Sequence, residues 1–163
     1  MANVKKVWFE SDGSIPNHPT FPVLIYPEAF TELNEIEDAF NRHGWTGSWI
    51  GGVFDFHHYH SNSHEVLGVV SGEARVMLGG EQGQTFQVKA GDVVLLPAGT
   101  GHKKLEASND FQVCGAYPEG QSPNLKKGDP AEHDASLLEI RSLKRPESDP
   151  VYGENGPVLE EWK

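Results

Sequence analysis

Apolar and polar positions alternate with a period of two over much of the middle of this chain, and a longer period emerges once before it. From Trp45 onward, Trp45, Gly47 and Trp49 alternate with Thr46 and Ser48, as in a strand with one buried face. After the Gly51-Gly52 break, Phe54, Phe56, His58 and His60 share one parity, and Asp55, His57 and Tyr59 the other. A strand here projects two imidazoles from the same face as two phenyl rings. Ser61-Asn62-Ser63 is a turn-forming trio, and Glu65 opens the next apolar run, residues 65–70. Residues 74–78 read as a strand, 79–83 as a hairpin turn and 85–89 as the returning strand with one polar face. Residues 93–96 are apolar on both faces, so that strand is expected to be central; Leu105 and residues 111–117 supply the last strands. Seven or eight short strands at this spacing predict an all-β sandwich or barrel.

The longer period lies in residues 28–43, where Phe30, Leu33, Ile36 or Glu37, and Phe40 recur at three- and four-residue steps before Gly44, which predicts a helix packed on the outside of the sheet. Upstream, residues 1–27 mix Val7-Trp8-Phe9 and an apolar run ending at Tyr26 with prolines at 16, 19, 22 and 27, the pattern of an edge strand or wrapping arm. Downstream, residues 118–134 are polar, 135–143 offer a short helix or strand, and the last stretch keeps Tyr152, Leu159 and Trp162, which are costly to leave in water. The expected organisation is one domain: an arm and helix over 1–44, a barrel core over 45–117 and a tail packed on it over 118–163.

Composition narrows the partners. With 24 acidic against 13 basic residues the formal charge is -11, and no Lys/Arg cluster is long enough to follow a phosphate backbone, so nucleic acid and anionic membrane are not expected partners. No apolar run approaches the roughly 18 residues that span a bilayer. The single cysteine, Cys114, rules out an intrachain disulfide framework, and the start Met1-Ala2-Asn3-Val4-Lys5-Lys6 leads into no signal-peptide core, so a cytoplasmic protein is expected. Cys114 itself reads as a small buried filler. Residues 99–104 lack the spacing of a phosphate loop.

The candidate chemistry lies where the two imidazoles, the returning carboxylate and a third histidine meet. His58, His60 and Glu65 can converge on one ion, and His102 follows a Pro97-Ala98-Gly99 turn at the end of the apolar strand. Burying three imidazoles and a carboxylate is unfavourable without compensation, whereas a divalent cation satisfies all four. Such a donor set suits iron, manganese, nickel, copper or zinc, and leaves coordination positions open for water or a small molecule. Phe54 and Phe56 would floor the pocket, with Tyr59 offering a hydroxyl at its rim. The competing readings are a polar cluster that binds nothing, and a three-nitrogen site of His60, His64 and His102, in which a bulge turns His64 inward. His57 is expected to face outward or against the helix, His18, His43 and His133 to be solvated, and Glu106 to lie on the surface.

These stretches resemble the cupin superfamily. Gly52, His58, His60, Glu65 and Gly72 fit its pattern of glycine, five residues, His-x-His, four residues, Glu, six residues, Gly. Gly91, Pro97, Gly99 and His102 fit the second pattern, glycine, five residues, Pro-x-Gly, two residues, His, except that Glu106 stands where the family usually ends in Asn. The whole-chain layout is similar to that of a group of small single-domain bacterial cupins. The resemblance implies a cupin double-stranded β-helix, that is a jelly-roll barrel, with one N-terminal helix and a C-terminal tail. It implies one metal held by His58, His60, Glu65 and His102, a small-molecule ligand and pairing into a homodimer. It permits metal-dependent dioxygenation, isomerisation or hydrolysis, and equally a non-catalytic binding or sensing role.

Overall fold

The computed structural model describes residues 3–163. The period-two segments become β1 (Lys5–Val7), β2 (Val23–Tyr26), β3 (Trp45–Gly51), β4 (Glu65–Ser71), β5 (Glu73–Leu78), β6 (Gln84–Lys89), β7 (Val93–Leu96), β8 (His102–Ala107) and β9 (Gln112–Pro118). Among the described residues they form two antiparallel sheets, one of six strands in the order β1-β2-β7-β4-β9-β3 and one of three in the order β6-β5-β8. This is a jelly-roll β-sandwich.

Strand parity decides where the core lies. On the inner face of the large sheet, Val23, Ile25, Leu67, Val69, Val94, Leu96 and Val113 meet Ala74, Val76, Leu78 and Val88 of the small sheet. The alternate residues, among them Leu24, Tyr26, Val66, Val93, Leu95, Cys114 and Ala116, face outward and are covered by a second apolar layer. Strand β7 therefore contributes Val94 and Leu96 to one core and Val93 and Leu95 to the other, which is why its run is apolar throughout.

The outer layer comes from both ends of the chain. Helix α1 (Ile36–Arg42) lays the fully buried Ile36 and Phe40 on the outer face. It is shorter than the pattern over 28–43 predicts, with one 3-10 turn at Leu33–Glu35 before it. The reason is tertiary: Glu28 is held at φ 52°, and the Phe30 N–H donates to the Gly91 carbonyl at 3.1 Å, so the first residues are drawn to the turn between β6 and β7. From the tail, α2 (His133–Ser142) follows a 3-10 turn and α3 (Pro157–Glu161) ends the chain. Asp149, fully buried, fastens this tail: its carboxylate accepts from Tyr26 Oη at 2.6 Å and from the backbone N–H groups of Val151, Tyr152 and Val158. Trp162 is buried, and its Nε1 donates to the Pro22 carbonyl at 2.9 Å.

Two local departures from simple alternation matter for the site. In β3, Thr46 pairs with Tyr117 while Trp49 pairs with Gly115, so β3 holds one residue more than its partner, a bulge at Gly47 with φ 64°. Parity alone puts Trp45 and Trp49 on one face; the bulge sends Trp45 to the outer layer and Trp49 to the inner one. The second departure corrects the expected strand over residues 54–60. That segment makes only isolated bridges, His58 to His102 and Tyr59 to Lys126, because it crosses between β8 on one side and the loop after β9 on the other. No helix among the described residues is long and apolar enough to cross a membrane.

Candidate metal centre

Glu65 is the first residue of β4 and shares the parity of Leu67 and Val69, so its carboxylate enters the sandwich interior, where it is buried. His58 and His102 exchange both backbone hydrogen bonds, at 3.2 and 2.9 Å, which sets their rings side by side with centroids 3.9 Å apart. His60 is fixed two residues on, where its carbonyl accepts from the Gly99 N–H at 2.8 Å. Gly99 has no room for a side chain: a Cβ would stand 2.6 Å from Ile140 Cδ1 and 2.9 Å from the Asn17 carbonyl oxygen. Its φ of 89° also suits glycine. This turn delivers His102.

The structure brings His60, Glu65 and His102 together, with one potential ligand atom of each within 4.8 Å of the others. Glu65 Oε1 lies 3.3 Å from His60 Nε2 and 3.2 Å from His102 Nε2. His58 stands beside this trio, its ring centroid 6.1 Å from that of His60. The three imidazoles are oriented alike. Nδ1 of His58 contacts the Phe56 carbonyl at 2.9 Å, Nδ1 of His102 the Thr100 carbonyl at 3.0 Å, and Nδ1 of His60 the Asn124 carbonyl. A carbonyl only accepts, so each Nδ1 is the protonated nitrogen and each neutral ring keeps Nε2 as its lone-pair donor.

Electrostatics follow from burial and proximity. Burial, with the neighbouring His102 adding to it, pulls the His58 pKa down to about 3, so this ring is neutral. Burial also disfavours charge on His60, but the adjacent Glu65 carboxylate and the Asn124 carbonyl outweigh it and raise its pKa. For Glu65, burial opposes ionisation, yet the neighbouring His102 and His60 rings outweigh it and hold its carboxyl well below the usual carboxylate range. An ionised carboxylate thus faces imidazole nitrogens in a buried pocket.

The other expected site residues are placed as follows. Phe54 lines a cavity of about 280 Å³ together with His58, His60, Glu65 and His102. Phe56 stacks on Phe54 at 4.9 Å between centroids and carries the Lys127 ammonium 5.2 Å above its own ring. Tyr59 is buried away from this cavity, and its hydroxyl donates to Ser136 Oγ of α2 at 3.0 Å. His64 is not brought into the group. It points to the outer layer, where Nδ1 accepts from the Ala98 N–H at 2.9 Å and Nε2 faces the Lys144 carbonyl at 3.3 Å. His57 is turned away from this cavity with both ring nitrogens buried, its Nε2 3.0 Å from Glu81 Oε1 but poorly aligned for a hydrogen bond. His18 departs from the expected solvation: it is buried, stacks on Phe21 at 4.2 Å, and its Nδ1 accepts from the Thr20 and Phe21 N–H groups. Cys114 is buried, and burial pushes its thiol up to about 12. Glu106 is exposed and pairs with Arg75 at 3.0 Å.

Sequence reasoning missed three residues. Trp49 and Tyr117 line the cavity, and the Trp49 Nε1–H donates to Tyr117 Oη at 2.7 Å. Tyr117 was within reach, since it shares the parity of the inward-facing Val113. The third, Asn124, holds His60 through its carbonyl and clamps Ser61 with its side chain: Oδ1 accepts from the Ser61 N–H at 2.9 Å and Nδ2 donates to Ser61 Oγ at 2.8 Å.

Comparison with known proteins places residues 49–110 on the family model described as "Cupin domain". The chain is 46% identical over 155 residues to the protein named "Uncharacterized protein YjlB" of Bacillus subtilis (strain 168), covering 95% of this chain and 94% of that one. Among solved structures it is similar to acireductone dioxygenase from Bacillus anthracis, described with a cadmium ion in its active centre, with 21% identity and a TM-score of 0.39 over 56% of this chain and 62% of that one. It is also similar to a mutant of Bacillus subtilis oxalate decarboxylase OxdC, with 20% identity and a TM-score of 0.42 over 74% of this chain and 29% of that one.

Proposed function

The chain belongs to the cupin superfamily, and from that premise we propose that it holds one divalent transition metal through His58, His60, Glu65 and His102 and presents it to a small molecule in the adjoining cavity. The observation that supports this reading is the common orientation of the three imidazoles. Each spends Nδ1 on a backbone carbonyl and keeps Nε2 as a lone-pair donor, the arrangement that fixes tautomer and aim in a metal-binding histidine. The donor set, three neutral nitrogens and one carboxylate oxygen, fits iron, manganese, nickel, copper or zinc.

A divalent cation there supplies Lewis acidity or, if redox-active, one-electron chemistry. The protein's part is positioning and exclusion of water. Val53, Phe54 and Leu67 form apolar cavity walls beside the donors, a setting in which electrostatic contacts are strong. Tyr117 keeps its proton on Oη, because burial and the nearby Glu65 carboxylate raise its pKa. Such a centre suits dioxygenation, isomerisation or hydrolysis of a small substrate.

The test is to strip the protein with chelator and reload it separately with Fe2+, Mn2+, Ni2+, Cu2+ and Zn2+. One equivalent bound, with a rise in the thermal midpoint that grows with metal concentration, is expected. Oxygen uptake by the iron form with a substrate panel reads the catalytic class. Failure of all five ions to bind contradicts the proposal.

A further inference from the structure

Trp49 is aimed into the cavity by three separate devices. The bulge at Gly47 reverses the face from which it projects. Gly115, its neighbour across β9, has no side chain, and a Cβ there would stand 2.3 Å from Trp49 Cε2, so the indole lies flat on bare backbone. The Nε1–H is tied to Tyr117 Oη at 2.7 Å. An indole needed only to fill a core requires none of these, and β3 would place it on the outer face without the bulge.

Tyr117 Oη accepts from Trp49, so the phenol keeps its own O–H for an acceptor placed in the cavity. The cavity is thus two-ended: the imidazoles, Glu65 and the Tyr117 hydroxyl make one end polar, and Trp49, Val53, Phe54 and Leu67 make the rest apolar. Its volume of about 280 Å³ admits a molecule of one ring with a short substituent.

We propose that Trp49 and Tyr117 are the specificity-determining pair of this pocket and that its ligand is a small aromatic molecule bearing one anionic oxygen group, a carboxylate or phenolate. The ring lies against the Trp49 indole, and the oxygen takes the Tyr117 hydroxyl hydrogen bond. The charge of the head rests on the metal reading above: Glu65 offsets one unit of a divalent cation, and a monoanionic head offsets the other.

The experiment is calorimetric titration of Zn2+-loaded protein with benzoate and with cyclohexanecarboxylate, two monoanions of similar size of which only one is flat. Benzoate is expected to bind roughly threefold to tenfold tighter, the range for an aromatic contact beyond plain burial. Trp49→Leu should erase that preference without changing zinc content. Tyr117→Phe should weaken both carboxylates by a similar factor, roughly tenfold to a hundredfold for one lost hydrogen bond to a charged group. Equal affinities in the wild type, no binding of either, or a preference that survives Trp49→Leu would overturn the assignment. If the wild type takes up no zinc, the metal reading fails by itself. The same titration on metal-free protein then decides the slot: a retained benzoate preference upholds it and equal affinities refute it.

Discussion

His60 and His64 lie four residues apart on either side of one turn, and the large sheet separates their fates. His60 faces inward, with Nδ1 on the Asn124 carbonyl and Nε2 3.3 Å from Glu65. His64 shares the parity of Val66 and faces outward into an aromatic layer, its ring centroid 4.9 Å from that of Trp162 and 6.2 Å from that of Phe21. In His64 the roles of the nitrogens are reversed. Nδ1 accepts from the Ala98 N–H, so Nε2 carries the proton and donates to the Lys144 carbonyl, and neither nitrogen is left for a ligand. Burial pulls its pKa down to about 4. One ring is spent entirely on structure, while the other is held by one nitrogen so that the second stays available. The backbone partner of Nδ1, more than burial, separates a site imidazole from a packing one.

Substitutions on the two faces should therefore separate metal binding from stability. The largest effect is expected from His60→Ala or His102→Ala, which should weaken metal binding by more than the roughly hundredfold limit typical of an outer partner while the β-sheet circular dichroism persists. Next, His64→Ala leaves the Ala98 N–H without its acceptor and opens a cavity beside Trp162. About 2–4 kcal/mol of stability should be lost in urea unfolding, with metal stoichiometry unchanged. Asn124→Ala tests whether a residue that touches no ion belongs with the inner face. The variant keeps the backbone carbonyl that holds His60 and removes only the clamp on Ser61, so metal affinity should fall by less than about tenfold, read by chelator competition, with the stoichiometry retained.

The smallest effect concerns pH. Burial, aided by His64, lowers the His18 pKa from 6.5 to about 3, so between these values the unfolded chain binds a proton that the folded chain does not. That contribution is present in full above pH 6.5 and is lost as pH falls from there towards 3. His18→Asn, which can keep a side-chain acceptor for the Thr20 and Phe21 N–H groups, should flatten the decline in unfolding free energy between pH 7 and about 5.

What the sequence made legible is what strand parity and short-range spacing encode. The His-x-His pair, Glu65 and the turn leading to His102 follow from local order, and β7 is recognisable as central because both its faces are apolar. What stayed hidden depends on partners distant in sequence. A single extra residue in β3, opposite β9, moves Trp49 from the outer face to the cavity. Asn124 reaches His60 only because the loop after β9 pairs with residues 59–61, through reciprocal backbone hydrogen bonds of 2.9 Å between Tyr59 and Lys126. His18 looks solvated among prolines, yet the C-terminal tail brings Trp162 over Phe21, the ring on which His18 stacks.

The central claim is that the inner face, through Glu65, holds the ion and the outer face, through His64, does not. Elemental analysis of untagged wild type, Glu65→Ala and His64→Ala, each reconstituted with the same ion and desalted, tests it most directly. The account predicts near-stoichiometric metal in wild type and His64→Ala and its loss in Glu65→Ala. Metal kept by Glu65→Ala and lost by His64→Ala would contradict it, as would a wild type that binds none.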